Sequence, residues 1–344
     1  MHEHPGRDLM PTIRDVARNA GVSVATVSRV YNNSARVLDD TRERVRRVAH
    51  RLGYSPHGVA RSLITKRTHA IGVLLPDLYG EFFSEVIRGI DEAARAQGYH
   101  LLLASARNDD HSFRDTLDVM RGRVDGLIVM APELRATDVR HWGLPQTLPV
   151  TLVNCPFNQG RFDSIAVANS AGARAMVRHL IGLGHHRIAI IRGARGNHDA
   201  AERLRGYREA LRGAGIDRDP HLEIPGDFSE AAGHAAARQI LALVPRPTAV
   251  FAANDGMALG ALSAFRDAGL RVPEDVALGG FDDIPMAPYV DPPLTSVHVD
   301  IWALGEHATT RLLERLRQGT GLKLRRETVP TTLVVRRSCG AHRG

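Results

Sequence analysis

Thr12-Ile13-Arg14-Asp15-Val16-Ala17, then Ala20-Gly21-Val22-Ser23, then Ala25-Thr26-Val27-Ser28-Arg29-Val30: this stretch decides how the front of the chain folds. Thr12 with Asp15 three residues on is a capping box, a hydroxyl and a carboxylate that serve the exposed N–H groups of a helix start. Ile13, Val16, Ala17 and Ala20 then recur at helical spacing. Gly21 breaks the run, and Ser23 caps a second short helix, Val24 to Val30, with Val27 and Val30 on its apolar face. Two short helices joined by a tight glycine turn make a helix-turn-helix, whose second helix enters the major groove when the partner is duplex DNA. A third helix follows. Asp40 with Glu43 reads as its cap, Val45, Val48 and Leu52 as its inner face, and Gly53 as its end. By composition alone, three short helices suit a protein-docking module equally well.

Charge separates the two readings. The 344-residue chain carries a net charge of +7. Between Pro11 and Arg67 stand twelve Arg and Lys against four Asp and Glu. Residues 1–10 hold one more acid than base, so everything beyond Arg67 balances. Arginine that was merely abundant would spread its charge; confinement to the head is the footprint of a polyanionic partner.

The length exceeds one ordinary domain. No run of 18 apolar residues occurs, and Met1 to Met10 lack the apolar stretch of a secretion signal, so no membrane anchor and a cytoplasmic location are expected. Cys155 and Cys339 fit no metal or redox spacing and read as reduced thiols.

From His69 onward strands alternate with helices. Ala70 to Leu75, Leu101 to Ala104, Gly126 to Met130 and Val150 to Val153 read as strands, with an amphipathic helix from Phe83 to Gln97. Past Ala168 the alternation restarts. Helix Ala171–Leu183, strand Arg187–Ile191, helix Ala200–Ala214, strand His221–Ile224, helix Ser229–Leu243 and strand Ala249–Ala252 follow. Two such series predict two α/β lobes with parallel sheets and a cleft between them. Ligands bind beyond the carboxyl ends of such strands. There stand Asp77 with Phe82 and Phe83, Asn154, Arg203, Asn254-Asp255 and Asp282-Asp283. Carboxylates and amides that bridge vicinal hydroxyls, an arginine fork and an aromatic face suit a sugar. An acid after a strand also serves as a helix cap, and that reading of Asn254 and Asp282 stays open.

The head closely resembles the LacI/GalR family of bacterial regulators, through the stretches quoted first and through Thr41-Arg42-Glu43-Arg44-Val45, Leu52-Gly53-Tyr54-Ser55-Pro56 and Val59-Ala60-Arg61-Ser62-Leu63. The resemblance runs from Met10 to about Arg337, including Val272-Pro273-Glu274-Asp275-Val276, Gly280-Phe281-Asp282-Asp283 and Pro293-Leu294-Thr295-Ser296-Val297. It implies an all-α helix-turn-helix headpiece followed by a two-lobed, periplasmic-binding-protein-like α/β body. Val24, Ala25 and Arg29 would face base edges, with Arg29 suited to guanine and the other two to thymine methyls. Thr26, Ser28 and Asn33 would contact phosphates, with Thr12 and Ser23 beside them at the helix starts. Ser55-Pro56 would open a hinge helix whose Ala60 and Leu63 meet the minor groove, Leu63 as a wedge. In the body, Arg203, Asn254 and Asp282 are the first effector contacts it implies. Asp77, Phe83, Asn154, Asp199 and Phe228 come second, with Phe228 stacking on a ring.

The expected division is a disordered extension 1–9, a headpiece 10–54, a hinge helix and linker 55–67, and an effector-binding, dimerising body 68–344. Lobe 1 would take about 68–168 and 299–326, and lobe 2 about 169–298 and 327–338. The implied partners are a pseudo-palindromic duplex DNA operator, a second copy of the chain and a small-molecule effector, a carbohydrate before a nucleobase. The regulator would repress rather than activate, and no cofactor or metal is implied. Two departures stand at the cleft: Gly80-Glu81 where the family usually has Asn-Pro, and Val299 where it commonly has Gln. A transport binding protein would lack the basic head. An enzyme would show a nucleophile elbow, a phosphate loop, a zinc motif or a dinucleotide fingerprint, none of which is present. The pair His185-His186 reads as turn residues rather than as metal ligands.

Overall fold

The computed structural model describes residues 11–31, 36–54, 67–105, 110–133, 147–155, 161–319 and 323–341. The extension 1–9, Asn33, and the hinge with Ala60 and Leu63 lie outside the described residues. The chain divides after Thr68 into two compact units.

The first unit holds α1 (Ile13–Ala20), α2 (Val24–Tyr31) and α3 (Asp39–Leu52). Thr12 N and its hydroxyl both donate to the Asp15 carboxylate, at 2.9 and 2.7 Å. Gly21 ends α1 at φ 63°, a left-handed turn in which a side chain would be strained. Val16, Ala17, Ala20, Val27, Val30, Val37, Val45, Val48 and Ala49 form one small core. The third helix departs from expectation at its start. It opens at Asp39, and the position before it is Leu38, which has no side chain able to cap. Asp39 and Asp40 lie instead within the first turn, where their charge opposes the positive end of the helix.

The second unit begins with β1 (Ala70–Leu75), α4 (Glu81–Arg95), β2 (His100–Ser105), α5 (Asp110–Met120), β3 (Gly126–Met130), β4 (Val150–Val153) and β5 (Asp163–Val167). Next come α6 (Asn169–Gly182), β6 (Ile188–Ile191), α7 (His198–Gly213), β7 (Glu223–Ile224), α8 (Glu230–Leu241), β8 (Ala249–Ala252), α9 (Asp255–Asp267), β9 (Ala277–Asp282) and β10 (Thr295–His298). The series ends with α10 (Ile301–Gln318), β11 (Arg326–Val329) and β12 (Thr332–Val334). Among the described residues two six-stranded sheets result, in the orders β11-β5-β4-β3-β1-β2 and β12-β10-β9-β8-β6-β7. Pairing is parallel throughout except for β12, which runs antiparallel to β10. Strands such as β3, β4, β6 and β8 are buried along their whole length, as sheets covered on both faces require.

The chain passes from the first sheet to the second after β5. It returns with α10, which packs on β3, β4, β5 and α4, and β11 then pairs with β5. The boundary expected at 326/327 therefore needs correction. Residues 326–329 are one strand of the first sheet, and the last crossing comes beyond Val329. The expected strand His221–Ile224 also shortens. Pro220 opens a 3-10 turn capped by the Asp219 side chain, and only Glu223 and Ile224 are left to pair with β6.

Candidate functional site

Two surfaces carry chemistry. The first is the outer face of α2. Val27 and Val30 turn into the headpiece core, so helical geometry turns Val24, Ala25 and Arg29 outward, and all three are exposed. Val24 keeps 42% of its surface. Ser23 accepts from Thr26 N at 3.1 Å and its hydroxyl lies 2.9 Å from that of Thr26, so this pair fixes the helix start. Ser28 is half-buried. Arg29 has no ion-pair partner among the described residues, which leaves its fork of donors facing solvent. An exposed row of small apolar side chains ending in an unpaired guanidinium matches base-edge readout.

The second surface lies between the two lobes. Asp199, in the first turn of α7, and Arg203, one turn later, share a helix face and are both buried. Arg203 Nη2 donates to Asp282 Oδ1 at 2.9 Å, Nη1 to the Ala253 carbonyl at 2.6 Å, and Nε to Asn169 Oδ1 at 2.8 Å. Its guanidinium carbon stacks 3.8 Å from the Phe281 ring centroid and stands 5.8 Å from that of Phe228. Asn169 Nδ2 turns the other way and donates to Asp199 Oδ1 at 2.9 Å. From the first lobe, the buried Asn154 side chain lies beside the same carboxyl and favours its charged form, while its Oδ1 accepts from Val167 N at 3.0 Å. Burial pushes the Asp199 carboxyl up to about 7, with Arg203 opposing the shift and Asp282 adding to it. Asp282 is also raised by burial, against the pull of Arg203.

The lobes meet at the cleft edges as well. His198 N donates to the Pro132 carbonyl at 2.8 Å, and Met286 N donates to Glu81 Oε2 at 3.0 Å. Glu81 is one of the two positions where the sequence departs from its relatives' pattern, and here its carboxylate bridges the lobes. The other departure, Val299, is buried against the apolar core.

The sequence-derived residues thus fall into two groups. Asn154, Asp199, Arg203 and Asp282 converge. Phe228 stands near them at φ 78°, its ring seated over Gly193, where an added Cβ would come within 2.2 Å of Cζ. Gly193→Ala is expected to displace that ring and to cost about 1–3 kcal/mol, read by urea denaturation. Asn254 lies beside Phe228, but its side chain is occupied: Oδ1 caps α9 by accepting from Met257 N, and Nδ2 donates to the Phe228 carbonyl. Asp77 is exposed and turned onto its own loop, accepting from Leu78 N and Tyr79 N. Phe83 is half-buried, edge-on to Phe82. Asn169 was missed by sequence reading because an Asn at a helix start looks like a cap. Asp255 was passed over as the neighbour of Asn254, yet it is fully buried, accepting from the Ser296 hydroxyl at 2.6 Å and from Ile284 N at 2.9 Å.

His185 faces Thr248 at 3.0 Å, a turn contact, and no cluster of three metal-binding side chains occurs among the described residues. Both cysteines are free, and no described helix is long and apolar enough to cross a membrane.

Comparison with known proteins follows the same division. Residues 12–57 match the model for bacterial regulatory proteins of the lacI family, and residues 177–339 match a periplasmic binding protein-like domain. The Ribose operon repressor of Escherichia coli (strain K12) is 37% identical over 323 residues, covering 93% of this chain and 98% of that protein. The HTH-type transcriptional repressor PurR of Vibrio atlanticus is 38% identical over 313 residues, covering 90% and 92%. A crystal structure of the lac repressor dimer bound to operator and the anti-inducer ONPF superposes with a TM-score of 0.85 at 32% identity, covering 96% of this chain and 99% of that one. A DNA-reading head, a two-lobed effector body and near-full-length identity of this order agree: the chain belongs to the lacI family of bacterial regulatory proteins.

Proposed function

We propose that the chain is a transcriptional repressor that binds a pseudo-palindromic operator as a homodimer and is switched by a polar, uncharged small molecule, a carbohydrate. The observation that carries this reading is the polar cluster shared by the lobes. Asn154 follows β4 of one lobe, while Asp199, Arg203 and Asp282 belong to the other, and all four are buried. A ligand seated there touches both lobes, so its binding free energy depends on the angle between them. The effector then shifts the population competent for DNA, and operator and effector affinities change reciprocally. Two copies present two heads to two half-sites, as the two-fold symmetry of a dimer requires. A nucleobase is the second reading, supported by the Phe228 ring beside the Arg203 guanidinium.

The test is operator binding by the full chain to the DNA flanking its own gene. Affinity is expected to fall by about three orders of magnitude between 50 and 200 mM salt, because Lys and Arg contacts to phosphates release counterions. Arg29→Ala should lose about 1–3 kcal/mol, roughly ten- to a hundredfold, with relaxed preference at one base pair of each half-site. Salt-independent binding, or full affinity in Arg29→Ala, would sink the assignment of the head. Addition of D-ribose, D-glucose or adenine is then expected to change operator affinity for at least one of them.

A further inference from the structure

The cluster between the lobes is unbalanced in charge. Among the described residues, Asp199 and Asp282 face one guanidinium, that of Arg203. Arg203 gives its ion pair to Asp282, whereas the hydrogen bond to Asp199 comes from the amide of Asn169, with the Asn154 amide close by. Further carboxylates stand at the rim. Glu81 bonds to Met286 N, and Glu133 Oε1 accepts from Asn197 Nδ2 at 3.5 Å, on the residue that caps α7. The groups whose charge acts on Asp199 are Arg203 and Glu202 on its own helix and Asp282 at the end of β9. Cys155, after β4, is a further titratable neighbour, and burial holds its thiol up at about 12, so it stays neutral.

We infer that this cleft selects effectors that carry no negative charge, and that Asp199 is the specificity-determining residue that rejects phosphate esters and carboxylates while accepting hydroxyl or N–H donors. The inference rests on the effector-site reading above and specifies the chemical class that site takes. A third anion buried within a few ångströms of these two carboxylates and one guanidinium finds no compensating partner in the cluster. A polyol or a neutral heterocycle brings donors that replace the water each carboxylate oxygen would otherwise hold.

A proton then accompanies binding. Free of ligand, Asp199 is close to half-protonated near neutral pH. Donors from the ligand favour the carboxylate, so on binding the carboxyl O–H bond breaks, its electron pair stays on oxygen and the proton leaves to solvent. Neutral effectors should therefore bind about tenfold more weakly at pH 6 than at pH 8, with no further change above about pH 8.

The experiment uses full-length protein and calorimetric titration from pH 5.5 to 8.5. Probes are D-ribose, D-glucose and adenine as neutral ligands, against D-ribose 5-phosphate, D-glucose 6-phosphate and D-gluconate. Expected are binding by a neutral probe, at least about tenfold weaker binding of its anionic counterpart, and the stated pH dependence, which is flat in Asp199→Asn. Tighter binding of an anionic probe overturns the inference. So does pH-independent binding of a neutral one. Arg192, whose buried Nε has no partner among the described residues, would be the host of an anion, and loss of such binding in Arg192→Ala would identify it.

If no probe binds, the carbohydrate and nucleobase readings fail, and the raised Asp199 carboxyl on which the inference depends is tested by thermal melting of the ligand-free protein. Asp199 has its folded-state value raised above the unfolded carboxylate value of about 4. The acid form is thus favoured by folding, and wild type should lose stability relative to Asp199→Asn as pH rises from about 4 to about 7. A constant difference between the two proteins over that window overturns the inference even without a ligand.

Discussion

Arg203→Ala is expected to abolish the effector response and to destabilise the body by about 3–5 kcal/mol, because it leaves the Asp282 carboxylate buried without its counter-charge. Three acceptors lose their donor at once: Asp282 Oδ1, the Ala253 carbonyl and Asn169 Oδ1. The ring of Phe281 also loses the cation stacked on it. Part of the loss belongs to the stranded charge rather than to the pair. Adding Asp282→Asn to the Arg203→Ala variant is therefore expected to recover about half of it, measured by urea unfolding of the four proteins of the cycle. Equal stability of the single and double variants would show that Asp282 is not held as an anion by Arg203.

Val24→Glu is expected to reduce operator affinity by about a hundredfold or more while leaving the head folded. Val24 is exposed, and Glu is at least as good a helix former as Val, so unfolding free energy should move by no more than about 0.5 kcal/mol. At the DNA surface the change is large, since a carboxylate enters a field set by phosphates. Fluorescence anisotropy on an operator duplex reads the affinity, and a circular dichroism melt reads the fold. Unchanged affinity would remove the outer face of α2 from the interface. Val27→Glu, by contrast, should unfold the head, because Val27 lies in its core.

Val24 and Arg203 are both visible in the sequence, for different reasons. The head was legible because its signals are local. Thr12 and Asp15 are three residues apart, Gly21 marks the one turn, and the apolar period places Val27 inside and Val24 outside. The α/β alternation of the body was legible for the same reason, down to the sheet-end positions of Asn154 and Asp282, whereas Asp199 came only from the family resemblance. What slipped were boundaries decided by competition. Pro220 turned half of an expected strand into a 3-10 turn, and β11 stayed with the first sheet because its pairing with β5 carries it past the expected crossing.

The state of the site was decided only by tertiary structure. No sequence pattern couples Arg203 to Asp282, 79 residues away, or Asn169 to Asp199, 30 residues away. Nor does spacing tell that Asn254 spends its side chain on a cap while Asp255 beside it is fully buried. The sequence by itself determined which residue types stand at the ends of strands, since strand and helix periods are local properties of the chain. Which of those residues are buried together, which is paired and which carboxyl holds its proton depend on desolvation and on charges brought from distant segments, and these exist only once the two lobes have packed.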